Sequence, residues 1–188
     1  KIFNGLAVTT SLELFLEFLS RLGPLEAHNF PLSRVRAALW ARFGAADVPF
    51  VVHVAVNGHY EAVPRSFRNN RRAEAETAGD APGSPLDFVT INNSAEIFLT
   101  AMIFDDVFGR HPKLRCGAIE LGASWVPGMI RNLDHAAKTL GKNEPLIQEL
   151  SLKPSDYIRR QGRFTPFPFE DVGWLIDDSG EELFLFSS

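Results

Sequence analysis

Two polar residues stand where apolar strands would bury them. His53 lies inside the run FVVHVAV, residues 50–56, and Glu120 ends the run CGAIEL just before Gly122. A buried imidazole is costly unless it is hydrogen-bonded or ligated, and a buried carboxylate needs a cation, a donor or a raised pKa. These are also the side chains that bind divalent metals and carry protons. The ordinary alternatives, a satisfied core histidine and a salt bridge at a strand exit, stay open on pattern alone. His28 and Asn29 end a weaker strand candidate, 25–30, and Trp125 follows a Gly-Ala-Ser turn where an indole can wall a pocket or simply pack. His59, His111 and His135 read as surface residues, and Cys116, early in an apolar run, reads as an inert thiol. No Gly-x-Ser-x-Gly elbow is present to support a serine nucleophile.

The elements that must position these residues alternate. An apolar strand over 2–8 is followed by a capping box, Thr10 with Glu13, and by Leu12, Phe15, Leu16, Leu19 and Leu22 at helical spacing. Ser33 is placed to cap a helix running to Asp47, where Pro49 stops it, and 50–56 is a strand apolar on both faces, as parallel strands are. Residues 57–93 form an irregular insertion with the basic cluster Arg65, Arg68, Arg71 and Arg72. From Ser94 a helix carries Ile97, Phe98 and Met102 and ends near Val107, with Gly109 as its C′ residue and Pro112 beyond. A strand over 114–121 follows, and Ser124 is placed to cap a helix bearing Val126, Ile130, Leu133, Ala137 and Leu140. A short helix at 154–160, a strand at 163–169, a helix at 170–176 and a last strand at 183–186 complete the chain. Strand and helix thus alternate roughly six times without a hairpin, which argues a parallel α/β architecture, either an open doubly wound sheet or a barrel.

Composition narrows the function classes. The 188 residues carry a formal net charge of -4, with 45% hydrophobic and 22% charged residues, so there is no electrostatic case for nucleic acid or an anionic membrane. No apolar run reaches the roughly 18 residues of a membrane span. One cysteine excludes an intramolecular disulfide and a cysteine-rich metal site, and fits a reducing, cytoplasmic setting. Gly-x-Gly-x-x-Gly and phosphate-loop motifs are absent, which removes the main support for a nucleotide-binding open sheet.

FDDVFGRHPKLRCGAIELGASWVPGMIRNLDH, taken with VPFVVHV upstream and YIRRQGRFTPF and ELFLFSS downstream, resembles the amidohydrolase-related superfamily. The branch is that of metal-dependent hydrolases and decarboxylases of the aminocarboxymuconate-semialdehyde and resorcylate decarboxylase type. The resemblance implies a (β/α)8 TIM-type barrel with a divalent metal, commonly zinc, at the carboxyl ends of its strands. His53 matches the family's fifth-strand histidine, and Glu120 takes the place of its sixth-strand histidine. The family's His-x-His pair is absent, and Ser188 comes where its aspartate would follow.

On that template 2–8 is strand three and 183–186 strand eight, with strands one and two missing. The expectation is one partial barrel domain over 1–188, part of a metal-dependent hydrolase or decarboxylase acting on a small carboxylated or aromatic substrate. His53 and Glu120 are the expected metal ligands, and Trp125 and Arg68 the expected substrate-binding residues. Two protein ligands fall short of the three that a catalytic zinc takes. The alternative is therefore a non-catalytic or incomplete relative that acts through association with another chain, a homo-oligomer among the options.

Overall fold

The computed structural model describes residues 6–7, 32–53 and 85–186. Within them four strands form one sheet in chain order, β1 (Leu6–Ala7), β2 (Phe50–His53), β3 (Cys116–Ile119) and β4 (Gly162–Phe164). All three pairings are parallel: Leu6 faces Phe50, His53 faces Ile119, and Cys116 faces Gly162. Parallel strands place every carboxyl end at one edge of the sheet, so the chain leaves β2, β3 and β4 on the same side.

Helices α1 (Leu32–Ala46), α2 (Pro85–Val89), α3 (Asn93–Phe104), α4 (Val107–Arg110), α5 (Val126–Leu140), α6 (Pro145–Gln148), α7 (Pro154–Gln161) and α8 (Val172–Ser179) lie between and after the strands. Phe50 packs on Trp40 of α1 at 5.1 Å between ring centroids and edge-on to Phe98 of α3 at 6.1 Å. Phe50 and Val52 thus occupy the helix-covered face of β2, and the two-residue period of a strand puts Val51 and His53 on the other. On α5 the buried stripe is Val126, Met129, Ile130 and Leu133, while Leu140, expected on that stripe, is exposed.

Several boundaries differ from the sequence expectation, each for a local reason. The template sets the candidate strand 25–30 between 2–8 and 50–56, whereas Leu6 and Ala7 pair directly with Phe50 and Val51. The candidate strand at 25–30 lies outside the described residues, as does the helix expected after Thr10. Helix α3 stops at Phe104 because Asp106 adopts a left-handed conformation, φ 54°, and Arg110 donates to the carbonyls of Asp105 and Asp106. Gly109 therefore lies inside the short α4 instead of ending α3. The buried residues of α3 are Ala95, Leu99, Met102 and Ile103, which turns Ile97 to solvent. Strand β4 ends at Phe164 rather than Phe169, since Pro166 and Pro168 have no N–H to donate to a ladder. Residues 181–183 form a 3-10 turn, after which Phe184 bridges to Phe164 in the parallel sense, so the strand expected at 183–186 is reduced to that bridge.

Glu96, on the first turn of α3, is partly buried, and desolvation pushes its carboxyl above the ordinary glutamate value. A carboxyl raised in the folded state favours folding while protonated, and that contribution is lost as pH rises through its folded value. A Glu96→Gln variant is expected to melt higher than wild type at pH 7 and alongside it near pH 4. Equal melting temperatures at both pH values contradict this.

Candidate functional site

His53 is the last residue of β2 and faces away from the helices. Its register partner is Ile119, so Glu120 is the first residue beyond β3. In a continuing strand Glu120 would project to the helix-covered face, alongside Cys116 and Ala118. It adopts φ 57° instead, and this left-handed turn brings its carboxylate back toward His53. His53 Nε2 lies 3.2 Å from Glu120 Oε2, with the imidazole about one-quarter exposed and the carboxylate mostly so. A left-handed conformation costs a non-glycine residue about 1–2 kcal/mol. Strain of this kind persists where the surroundings hold it.

Those surroundings are explicit. The Glu120 N–H donates to Thr165 Oγ1 at 3.2 Å. Gly122 has φ +65°, and a Cβ there would stand 2.8 Å from the Phe167 ring, so the turn needs glycine on both counts. The Gly122 carbonyl accepts the Trp125 indole N–H at 2.9 Å. Glu170 then receives three backbone N–H groups: Phe167 at 2.6 Å, Ala123 at 2.9 Å and Ser124 at 2.7 Å. Ser124 is expected to cap α5 with its side chain, but the helix starts at Val126 with Trp125 in the capping position, whose side chain makes no capping bond. The Glu170 carboxylate, from the loop after β4, holds the N–H groups of the two residues that precede this position, while the first N–H of α5, that of Val126, goes to the Ala123 carbonyl at 3.0 Å.

Beside this turn Phe88, Phe167 and Phe169 form a stack, with Phe88–Phe167 at 6.0 Å and Phe167–Phe169 at 5.3 Å between ring centroids. Phe88 and Phe169 are exposed. Trp125 meets Phe164 edge-to-face at 5.4 Å, so its ring is partly committed to packing. Arg68 with the rest of its cluster, His28, Asn29 and His59 lie outside the described residues. His111 stands at the opposite edge, before β3, and burial together with Arg110 lowers its pKa against the opposing pull of Asp106. His135 is exposed on α5. Burial pushes the Cys116 thiol up to about 12, which removes it as a nucleophile at neutral pH.

The donor pair suits a divalent metal in type and spacing. Two ligand atoms about 2.1 Å from one ion, at angles of about 90–109°, lie about 3.0–3.4 Å apart, and the 3.2 Å His53–Glu120 separation falls in that interval. Among the described residues no group of three or more His, Cys, Asp or Glu side chains is placed to hold an ion.

No family model matches the chain, and no curated protein matches it in sequence. Solved structures do. An amidohydrolase from Mycobacterium avium subsp. paratuberculosis K-10 superposes with a TM-score of 0.63 at 26% identity, over 82% of this chain and 36% of that one. The chain matches the amidohydrolase-type TIM barrel. Its structural relatives include decarboxylases as well. For 5-carboxyvanillate decarboxylase from Sphingomonas paucimobilis the TM-score is 0.55 at 20% identity, over 79% of this chain and 41% of that one. A dihydroxybenzoic acid decarboxylase from Polaromonas sp. JS666, solved with bound manganese and the inhibitor 2-nitroresorcinol, gives 0.52 at 15% identity, over 81% and 42%. The chain thus spans less than half the length of each of these structures. Among the described residues no helix is long and apolar enough to cross a membrane.

Proposed function

We propose that this chain contributes to a metal-dependent hydrolase or decarboxylase for small aromatic or carboxylated molecules, with His53 and Glu120 as two ligands of its divalent metal. The 3.2 Å contact between them at the carboxyl edge of the sheet carries the reading. Active sites of TIM barrels lie at that edge. When bound, a divalent ion supplies a Lewis acid that polarises a carboxylate or carbonyl and lowers the pKa of water.

The chain's own residues supply the rest. His53 and Glu120 fix the position of charge at the mouth, while the stacked Phe167 and Phe169, with Trp125 close by, offer aromatic faces on which a substrate ring can lie. Arg68 is assigned to a substrate carboxylate, as guanidinium groups pair with carboxylates in a bidentate fork. Zinc is the metal expected from the sequence resemblance, and the manganese of the dihydroxybenzoic acid decarboxylase supports testing Mn²⁺ beside it. The single buried cysteine supports a reducing, cytoplasmic setting.

The experiment is an assay of the intact protein, loaded with Zn²⁺ or Mn²⁺, on 2,6-dihydroxybenzoate, 5-carboxyvanillate and a panel of aromatic amides and esters. Turnover in at least one arm, as released CO2 or as hydrolysis, is expected, and EDTA should abolish it. No turnover in any arm overturns the reading.

A second reading is favoured by one observation, the lack of a third ligand placed beside the pair among the described residues. In it another chain completes the site, a second copy being the simplest. Metal stoichiometry measured together with molecular mass in solution separates the two, because a monomer binding one ion per chain excludes the need for a partner.

A further inference from the structure

We propose that Glu170 is a positioning residue for the His53–Glu120 pair, an inference that rests on the pair acting as proposed above. Glu170 lies in the loop after β4, yet its carboxylate bonds mainly to the loop after β3, through the N–H groups of Ala123 and Ser124. It closes back on its own loop through the Phe167 N–H at 2.6 Å. Thr165, five residues before it and buried, holds the Glu120 N–H. The left-handed Glu120 and Gly122 are therefore pinned at both ends, by Thr165 on one side and by Glu170 on the other.

Without these anchors nothing local favours φ 57° at Glu120, because relaxing to an extended conformation relieves strain and turns the carboxylate away from His53. The clamp is ionic in character. Three N–H donors converge on one carboxylate, and charge-assisted bonds of this kind are about twice as strong as neutral ones. A glutamine keeps the size but has one acceptor oxygen, and it turns an amide nitrogen toward N–H donors.

The test compares wild type with Glu170→Gln, Glu170→Asp, Glu120→Gln and a control, Asp134→Asn. Asp134 caps α7 by accepting the Ser155 N–H at 3.1 Å, so the control removes a carboxylate of similar structural duty on another part of the fold. The first readout needs no metal: the ring resonances of His53 at fixed pH, assigned by their loss in His53→Ala. Glu120→Gln should shift them, Glu170→Gln should reproduce that shift, and Glu170→Asp should give a smaller one. Asp134→Asn should lower the melting temperature while leaving them in place. The second readout is Mn²⁺ affinity, expected to weaken about 10–100-fold in Glu170→Gln, as for other residues that orient ligands. Wild-type His53 resonances in Glu170→Gln, whatever its melting temperature, overturn the role of Glu170. Unshifted resonances in Glu120→Gln remove the pair itself and both readings with it.

Discussion

A His53→Ala substitution is expected to lower metal-dependent turnover at least about a hundredfold, because residues that merely orient ligands already contribute 10–100-fold and His53 is assigned as a ligand itself. The side chain lies on the face of β2 opposite Phe50 and Val52, and it is not among the buried core residues. Removing it opens no cavity in the core formed by Leu39, Trp40 and Phe50. The variant should therefore fold, with a melting temperature close to wild type, and the loss should be one of chemistry. Glu120→Gln is expected to fall in the same direction, since the amide keeps the shape and one oxygen but not the charge. Steady-state rates at saturating metal, read beside thermal melting, check both. Unchanged turnover in both variants would remove the metal assignment, whereas loss of turnover together with the fold would show His53 to be structural.

Gln161→Leu is expected to destabilise the protein by about 2–4 kcal/mol through loss of two amide hydrogen bonds, one of them fully buried. Gln161 is 1% exposed, and its Nε2 donates to the carbonyls of His111 at 3.0 Å and Leu114 at 2.8 Å. Its Oε1 accepts from Arg160, whose guanidinium also reaches the Phe108 carbonyl. These bonds tie the end of α7 to the turn that leads into β3, so they fix where β3 starts relative to β4. Leucine fills the space but leaves the buried Leu114 carbonyl without the amide donor, while the His111 carbonyl keeps the Leu114 N–H at 2.9 Å; a buried group that loses its donor carries the full desolvation cost. For a chain of this size the loss corresponds to a fall of about 5–15 °C in melting temperature. A fall of under about 2 °C would show that water or neighbouring donors replace the amide.

His53 and Glu120 were legible in the sequence because each interrupts or ends an apolar run, and parallel α/β folds bring such positions to one edge. Their contact was not legible. It depends on the register of β2 against β3 and on the left-handed turn at Glu120, and periodicity carries neither. Thr165 and Glu170 were missed for a different reason. Residues 163–169 read as one continuous strand, although Pro166 and Pro168 signal its early end, so the loop that clamps Glu120 was absorbed into a β run. Ser124 has the residue type of an amino-terminal cap, yet the cap position falls to Trp125 and the Ser124 N–H is taken by a carboxylate 46 positions later, a choice local sequence cannot reveal. Among the described residues the long helices α1, α3, α5, α7 and α8 stand where the pattern puts them with displaced boundaries, whereas α2 (Pro85–Val89), inside the stretch read as irregular, and α6 (Pro145–Gln148), inside a polar link, carry too few periodic residues to be read. On α3 and α5 the pattern assigned Ile97 and Leu140 to the core, but their neighbours leave both exposed.

The central claim is that His53 and Glu120 act on one ion, and a Mn²⁺ titration of wild type, His53→Ala, Glu120→Gln and the double variant tests it most directly. Shared ligation predicts that each single change weakens binding at least about tenfold and that the double variant loses far less than the product of the two, since the first change has already broken the site. Affinity that is unaltered by either substitution, or losses that simply multiply in the double variant, would contradict it.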